Sequence, residues 1–78
     1  MAHIISVHPR EIGWEVTAPG IENPMAFLSG AKAEIAAKSL AERFARRGEA
    51  AELRIHLRDG TLAGRFVCAP LVELPLAG

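Results

Sequence analysis

The sequence predicts an α+β fold with two layers, in which one amphipathic helix packs on one face of an antiparallel sheet of four to five strands. Three patterns predict it: a hairpin over residues 52–67, one alanine-rich helix over residues 30–47, and two further strand-like segments between residues 3 and 17. A chain of 78 residues has room for a single domain. We expect that domain to span residues 1–67, in the order β-β-(β)-α-β-β.

The hairpin is the clearest of these patterns. Apolar and polar residues alternate from Leu53 to Leu57, which is the period of two typical of a half-buried strand. Asp59-Gly60 follows, a dipeptide that suits the positive φ angles of a two-residue type I′ turn. We therefore expect residues 61–67 to return as a second strand beside the first.

The first third of the chain predicts two more strands. Residues 3–8 and 13–17 are rich in β-branched and aromatic side chains, and the turn between them contains Pro9 and Gly13. Residues 25–28 are apolar but too short for a period to be read. They form either a brief third strand beside Trp14 or a lead-in to the helix.

The helix has recognisable ends. Ser29 is a suitable N-cap, and Gly48 is well placed as the glycine that follows a helix C-terminus. Its apolar stripe is mostly alanine, with Leu40 and Phe44 as the two large anchors. We expect the core to be formed by the inward-facing residues of both layers: Ile5, Val7, Trp14, Val16, Leu40, Phe44, Leu53, Ile55, Leu57, Leu62 and Phe66.

Two apolar features lie outside this core pattern. Ile35 is on the polar side of the helix, either as a tolerated surface residue or as a contact with a second chain. Residues 68–78 form an apolar tail with two prolines, which docks either on the domain or on a partner. The candidate self-association surface therefore consists of Ile35, Leu71, Val72, Leu74 and Leu76.

Composition narrows the class of protein. Half of the residues are hydrophobic and 23% are charged, which is too apolar for a disordered chain. The apolar runs are too short for a membrane span, and the N-terminus lacks the pattern of a secretory signal. We expect a cytoplasmic protein without a membrane partner. The net charge of zero counts against an obligate nucleic-acid binder.

The sequence does not assemble a catalytic or metal site. Nucleophilic catalysis by Cys68 would need a neighbouring histidine, and the predicted register places His56 several residues away from it. His8 and His56 would form a metal-binding or pH-sensitive pair if their strands were adjacent, and otherwise they are ordinary surface histidines. No phosphate loop or cofactor motif is present. We therefore expect neither a cofactor nor enzymatic activity.

The outer face of the hairpin is the one repeated polar feature. A two-residue turn would pair Arg54 with Arg65, His56 with Ala63 and Arg58 with Thr61. Two arginines directly opposite each other repel unless an anion or an acidic group lies between them. Either this face binds phosphate or an acidic partner through Arg54, His56, Arg58 and Arg65, or Glu15 or Glu52 neutralises it.

Three segments in this order resemble a small bacterial family catalogued as domain of unknown function 2188. They are Pro9 with the turn into Gly13-Trp14-Glu15-Val16, the helix ending at Arg46-Arg47-Gly48, and residues 51–60. The resemblance covers residues 3–65, whereas the loop at 18–26 is longer and richer in proline, and the tail lies outside it. It implies a β-β-α-β-β unit with no assigned activity.

Taken together, these patterns favour a non-enzymatic interaction module. We expect a homodimer that forms through Ile35, through the tail at 71–76 or through a sheet edge, because the core is small and apolar residues remain outside it. The alternative is nucleic-acid binding through Arg54, Arg58 and Arg65, with Arg46 and Arg47 as possible additions. An acidic protein is a further possible partner for the same basic face.

Overall fold

A computed structural model describes residues 2–70. The chain forms five strands and one helix in the order β-β-β-α-β-β. The elements are β1 (His3–Pro9), β2 (Trp14–Thr17), β3 (Met25–Phe27), α1 (Gly30–Arg46), β4 (Ala51–His56) and β5 (Leu62–Cys68). The α+β fold predicted from the sequence is confirmed, and the uncertain segment at residue 25 is a strand whose Phe27 lies opposite Trp14.

The sheet is mixed, so the prediction of an antiparallel sheet was wrong at one position. The strand order is β3-β2-β1-β4-β5, and the central pair β1–β4 is parallel. In the three-stranded meander β1-β2-β3, the two edge strands run in the same direction. A strand that returns after one helix also runs in that direction. It therefore pairs in parallel with whichever edge it joins, and here that edge is β1.

Both ends of α1 are capped as the sequence predicts. The Oγ atom of Ser29 accepts a hydrogen bond from the backbone N–H of Lys32. At the C-terminus, Gly48 has a φ of +80°, its N–H donates to the carbonyl of Ala45, and the N–H of Glu49 donates to that of Phe44. These two bonds form a Schellman motif and end the helix.

The core is a seam of small helix residues against the central strands. Ala33, Ala37, Ala41 and Ala45 are buried on the sheet side of α1. The largest fully buried side chains lie on the sheet, namely Ile5, Val7, Val16 and Leu53. Leu40, Phe44, Trp14 and Ile55 are partly buried and pack around this cluster. Alanines allow the helix backbone to approach the sheet closely, and the large side chains close the sides of the seam.

Three residues predicted in the core are exposed instead. Leu57 lies beyond the end of β4, and Leu62 pairs with His56 and so shares its face, on the side away from the helix. Phe66 lies opposite Leu53 on the helix side, but β5 is the edge strand and half of the side chain is exposed to solvent. The single helix does not extend far enough to cover it.

The hairpin turn has three residues rather than two. The N–H of Gly60 donates to the carbonyl of Leu57, and the N–H of Leu57 donates to the carbonyl of Thr61. Only Gly60 has a positive φ in this turn, at +87°, so the type I′ prediction was wrong. The pattern is that of a type I turn followed by a G1 bulge. Asp59 favours it because its Oδ1 accepts bonds from the N–H and the hydroxyl of Thr61.

A β-bulge in β5 reverses the one-residue shift in the β4–β5 register that the longer turn causes. The pairing changes between Ile55 and His56, so that His56 lies opposite Leu62 whereas Ile55 lies opposite Gly64. Ala63 is the extra residue of this bulge. The predicted pairing of His56 with Ala63 was therefore wrong, and Arg58 lies in the turn. The pairing of Arg54 with Arg65 is nevertheless correct, because the two shifts cancel.

The C-terminal part of the chain is described as far as Pro70. Strand β5 extends through Cys68, which packs against the core from a partly buried position. The predicted surface residues Leu71, Val72, Leu74 and Leu76 lie outside the described residues. Within residues 2–70, the one helix is too short and too polar to cross a lipid bilayer.

Gly13 is predicted to be the glycine least tolerant of substitution. It has a φ of +80°, and a Cβ atom there would collide with the carbonyl oxygen of Phe27. Gly48 has the same φ but open space around it. We expect Gly48→Ala to lower the free energy of unfolding by about 1 kcal/mol through backbone strain alone. Gly13→Ala should lower it by about 3 kcal/mol or more, because β3 must also move.

Urea denaturation of the two variants at one pH measures this difference. Equal losses for Gly13→Ala and Gly48→Ala would show that the close approach of β3 to the β1–β2 turn is absent.

Candidate functional site

The candidate site is the face of the sheet opposite α1, together with the outer edge of β5, which pairs with no further strand in the part of the chain that the structure describes. Because side chains alternate along a strand and paired residues share a face, the strand pairing defines this surface. It carries one polar row beside scattered apolar residues. Its members are Ile4, Ser6, His8, Glu15, Thr17, Glu52, Arg54, His56, Leu62, Arg65 and Val67.

Glu52 joins the two opposed arginines into an ion-paired triad. Its Oε1 atom accepts bonds from Arg65, at 2.8 Å from Nε and 2.6 Å from Nη2. Its Oε2 atom accepts a bond from Nε of Arg54. The two guanidinium groups cover the carboxylate so completely that Glu52 is only 5% exposed. Of the alternatives open at the sequence level, Glu52 is therefore the acid that lies between the two arginines, and its one carboxylate offsets one of their two charges.

The triad lowers one pKa and raises another. The hydrogen bond from Arg65, followed by that from Arg54, holds the pKa of Glu52 below its usual value near 4.5. The same bond raises the pKa of Arg65. Both guanidinium groups are ion-paired to this carboxylate, and more than half of the Arg65 side chain is also exposed to solvent.

His8 and His56 form a stacked pair next to the triad. Their ring centroids are 4.7 Å apart and the ring planes differ by 12°. The adjacency left open at the sequence level is therefore present, because β1 and β4 are neighbours in the sheet. Burial first, and then the charge of His56, lower the pKa of His8 below 6.5. His3 lies on the opposite face, stacked on Phe44.

A shallow depression adjoins this pair at the end of the sheet. It is lined in part by His8, Arg10, Glu15, His56 and Arg58. Glu15 forms an ion pair with Arg10 at 3.2 Å, and Arg58 donates from Nη1 to the backbone carbonyl of Arg10 at 3.1 Å. Arg58 thus belongs to this turn region, apart from the Glu52 triad. Arg10 was not among the residues predicted for the site, and only the pairing of β1 with β2 and β4 brings it there.

The free edge of β5 can be read from two backbone hydrogen bonds. The N–H of Leu57 donates to the carbonyl of Thr61, the residue just before β5. The N–H of His3 in β1 donates to the carbonyl of Ala50, the residue just before β4. Because backbone groups of successive strand residues point to alternate sides, odd-numbered residues of β4 face β5. Their partners Gly64 and Phe66 therefore face β4. The backbone N–H and C=O groups of Arg65 and Val67 point to the open edge.

Apolar side chains flank this edge on both faces. Val67 and Leu62, on the outer face, are 64% and 48% exposed, and Phe66, on the helix face, is 49% exposed. The Phe66 ring lies over Gly64, where a Cβ atom would be 3.4 Å from it. The Lys38 ammonium lies 5.7 Å from the ring centroid, within the range of a cation–π contact. Ile35, on the solvent side of α1, is 67% exposed.

The structure keeps Cys68 and His56 apart, and the described residues contain no cluster arranged for a metal ion. Cys68 lies opposite Ala51 and faces the helix, whereas His56 is at the other end of the hairpin on the other face. Between Ala2 and Pro70, no three His, Cys, Asp or Glu side chains are arranged to hold a metal ion. The outer face thus combines ion pairs and stacked rings beside the edge strand β5.

Comparisons with known proteins find no match among family models, curated proteins or solved structures. The resemblance to domain of unknown function 2188 therefore stays a prediction, and the argument about function depends on the geometry of the surface.

Replacing Glu52 is predicted to weaken the fold and to reduce its sensitivity to acid. Since the folded-state pKa of Glu52 is lowered, its contribution to stability is full above about pH 4.5 and is lost as the pH falls below that value. Glu52→Gln removes this contribution and leaves two arginines facing each other. We expect lower stability at pH 7 and a flatter decline below pH 4.5.

Denaturant titrations at several pH values between neutral and strongly acidic measure this effect. Glu42→Gln, on the exposed side of α1, serves as the matched control and should keep the wild-type decline. A residual decline in Glu52→Gln is expected from Asp59, whose pKa is lowered by its bonds from Thr61. An unchanged pH profile in Glu52→Gln would contradict the ion-paired triad.

The pKa of His8 is predicted to depend on the stacked ring of His56. In the wild type, the pKa of His8 lies below 6.5 because of burial and of the His56 charge. His56→Asn removes that charge and uncovers the His8 ring, so the His8 pKa should rise toward 6.5. Titration of the His8 ring protons by NMR measures the change. His3→Asn, on the other face, is the control, and a His8 midpoint that does not respond to His56→Asn would disprove the contact.

Proposed function

We propose that this domain is a non-enzymatic self-association module that pairs with a second copy through the edge of β5. The observation that supports the proposal most strongly is the length and composition of that edge. β5 has seven residues, and within residues 2–70 no further strand lies beyond it. An edge of this length with exposed apolar neighbours is a template for pairing with another strand.

The two edges of the sheet differ in their protection. β3 is three residues long and follows Pro24, so it offers few backbone groups to a partner. β5 contains neither proline nor lysine, which commonly block edge pairing. Its one charged residue, Arg65, is held against Glu52. The bulge at Ala63 interrupts only the end of β5 near the turn. The stretch from Gly64 to Cys68 is the accessible part.

A second copy is the occupant that these features favour. Antiparallel pairing of a strand with a copy of itself is two-fold symmetric, so each edge donates and accepts the backbone hydrogen bonds that the other edge requires. The chain has a net charge of zero, so two copies do not repel each other as a whole. The apolar residues on both sides of the edge would be removed from water, with a gain of about 25 cal/mol per Å² buried. Burial of apolar surface between two copies would add to the limited stability of a small core.

The proposal also places the protein in the bacterial cytoplasm. A single cysteine cannot form a disulfide within the chain, which suits a reducing compartment. The family resemblance suggests the bacterial source.

Nucleic-acid binding, the alternative function, has less support from the geometry. Binding to phosphates depends on cations that are free to replace counterions. Arg54 and Arg65 share the carboxylate of Glu52, and Arg10 is paired with Glu15. Arg58 contacts only a backbone carbonyl among its polar partners in the described residues. One such arginine beside two histidines is a small footprint for a nucleic acid.

The test compares two lysine substitutions of similarly exposed residues. Val67→Lys places a charge beside the free edge of β5, and Ile35→Lys places one on the solvent side of α1. Sedimentation velocity over a range of concentrations should show a monomer–dimer equilibrium for the wild type. Val67→Lys should weaken it by about tenfold or more, since edge charges oppose pairing. Ile35→Lys should leave it unchanged.

A wild-type protein that stays monomeric at high micromolar concentration would overturn the proposal. Loss of the dimer in Ile35→Lys but not in Val67→Lys would move the interface to the helix. Circular dichroism of both variants checks that each is folded.

A further inference from the structure

The direction of the backbone groups along β5 restricts how two copies can pair. Arg65 and Val67 face the open edge, as derived above from the bonds of Leu57 and Ala50. In an antiparallel pair, residues directly opposite each other must lie on the same face of the sheet. In a pair formed by β5 and its own copy, the two-fold axis perpendicular to the sheet must therefore lie at one residue, which is then opposite itself. The three residues near the middle of the accessible stretch are Arg65, Phe66 and Val67.

We infer that the two-fold axis lies at Phe66, so that Phe66 of one copy is opposite Phe66 of the other and Arg65 is opposite Val67. This inference rests on the proposed self-association and specifies its register. Arg65 and Val67 then form hydrogen-bonded pairs across the interface, each donating one backbone bond and accepting another. The two Phe66 residues form the intervening pair without backbone bonds, in which side chains come closest.

The side chains distinguish this register from its neighbours. An axis at Arg65 would oppose two guanidinium groups, and directly opposed like charges are destabilising. An axis at Val67 would pair Phe66 with Cys68 and leave the two rings apart. An axis at Phe66 brings together the two half-exposed rings, and aromatic pairs across strands are stabilising.

The surroundings of Phe66 fit this arrangement. Its ring lies over Gly64, where the absence of a side chain leaves space on the helix face of β5. The Lys38 ammonium lies near the ring from the α1 side. In the symmetric pair, the Phe66 rings of the two copies would meet in an apolar contact, with the Lys38 ammonium of each copy next to its own ring. The Glu52 triad lies on the opposite face, where Glu52 holds the Arg65 guanidinium.

Disulfide mapping distinguishes the three registers. Each variant carries Cys68→Ala to remove the native thiol, combined with Arg65→Cys, Val67→Cys or Phe66→Cys. Directly opposed residues lie about 4.5–5.5 Å apart between Cα atoms, which suits a disulfide. Residues displaced by two positions lie roughly 8 Å apart, from the strand rise and spacing, and are beyond reach.

The samples are mixed under reducing conditions so that subunits exchange, and they are then oxidised and run on a non-reducing gel. The inferred register predicts cross-linking when the Arg65→Cys and Val67→Cys proteins are mixed, but not when either is oxidised alone. It also predicts that the Phe66→Cys protein cross-links with itself. Phe66→Cys retains the Arg65–Glu52 pair, and so it tests the register even if loss of Arg65 weakens the fold.

Each other outcome has a defined meaning. Cross-linking of Arg65→Cys alone or of Val67→Cys alone places the axis at that residue and overturns the inference. A dimer in sedimentation without any cross-link overturns it as well, while the proposed self-association stands. A wild-type monomer in sedimentation defeats the proposed function itself, which separates the two failures.

Discussion

The structure depends on one constraint: a single helix must cover a five-stranded sheet. A helix with its side chains is about 10 Å wide, whereas five strands span about 19 Å between the outermost axes. The alanine seam of α1 resolves this by approaching the central strands closely, over Ile5, Val7 and Leu53. The edge strand β5 is left beyond the helix, so Phe66 faces the correct side of the sheet and is still half exposed. The exposure of Phe66 is thus a consequence of the same packing that makes the core.

Local patterns were sufficient to predict the elements but not the direction of every strand. The cap residues Ser29 and Gly48 fix the helix ends through bonds to their own neighbours, so sequence alone located them. The direction of β4 relative to β1 depends on whether residues 25–27 form a strand, because each added strand reverses the chain. That segment has too few residues to show a period, and its strand is stabilised by pairing with Trp14 rather than by its own sequence. The mixed sheet therefore could not be predicted from local patterns.

The candidate site shows the same division. The opposition of Arg54 and Arg65 was predictable, although the turn was not, because the extra residue at Gly60 and the bulge at Ala63 cancel. Glu15 and Glu52 were the two acids that could have paired with these arginines, and both lie on the outer face. The strand order decides between them, because Glu52 lies on β4 beside Arg54, whereas Glu15 lies on β2 and pairs with Arg10. The stacking of His8 on His56 could be predicted only by knowing that β1 and β4 are adjacent parallel strands. The exposure of Phe66 could be predicted only by comparing the width of one helix with that of the whole sheet, and no local sequence pattern contains this information.

The outer face and the edge are linked through Arg65. An unpaired arginine in the middle of β5 would repel its counterpart on an approaching second copy, and it would thus protect the edge from pairing. Glu52 reduces that repulsion, because it holds the guanidinium on the outer face and offsets one of the two arginine charges in the triad. The buried carboxylate therefore has two effects on one strand: it stabilises the hairpin by joining Arg54 to Arg65, and it leaves the backbone of β5 accessible. The self-association proposed above therefore depends on Glu52, which holds the Arg65 guanidinium on the outer face of the sheet.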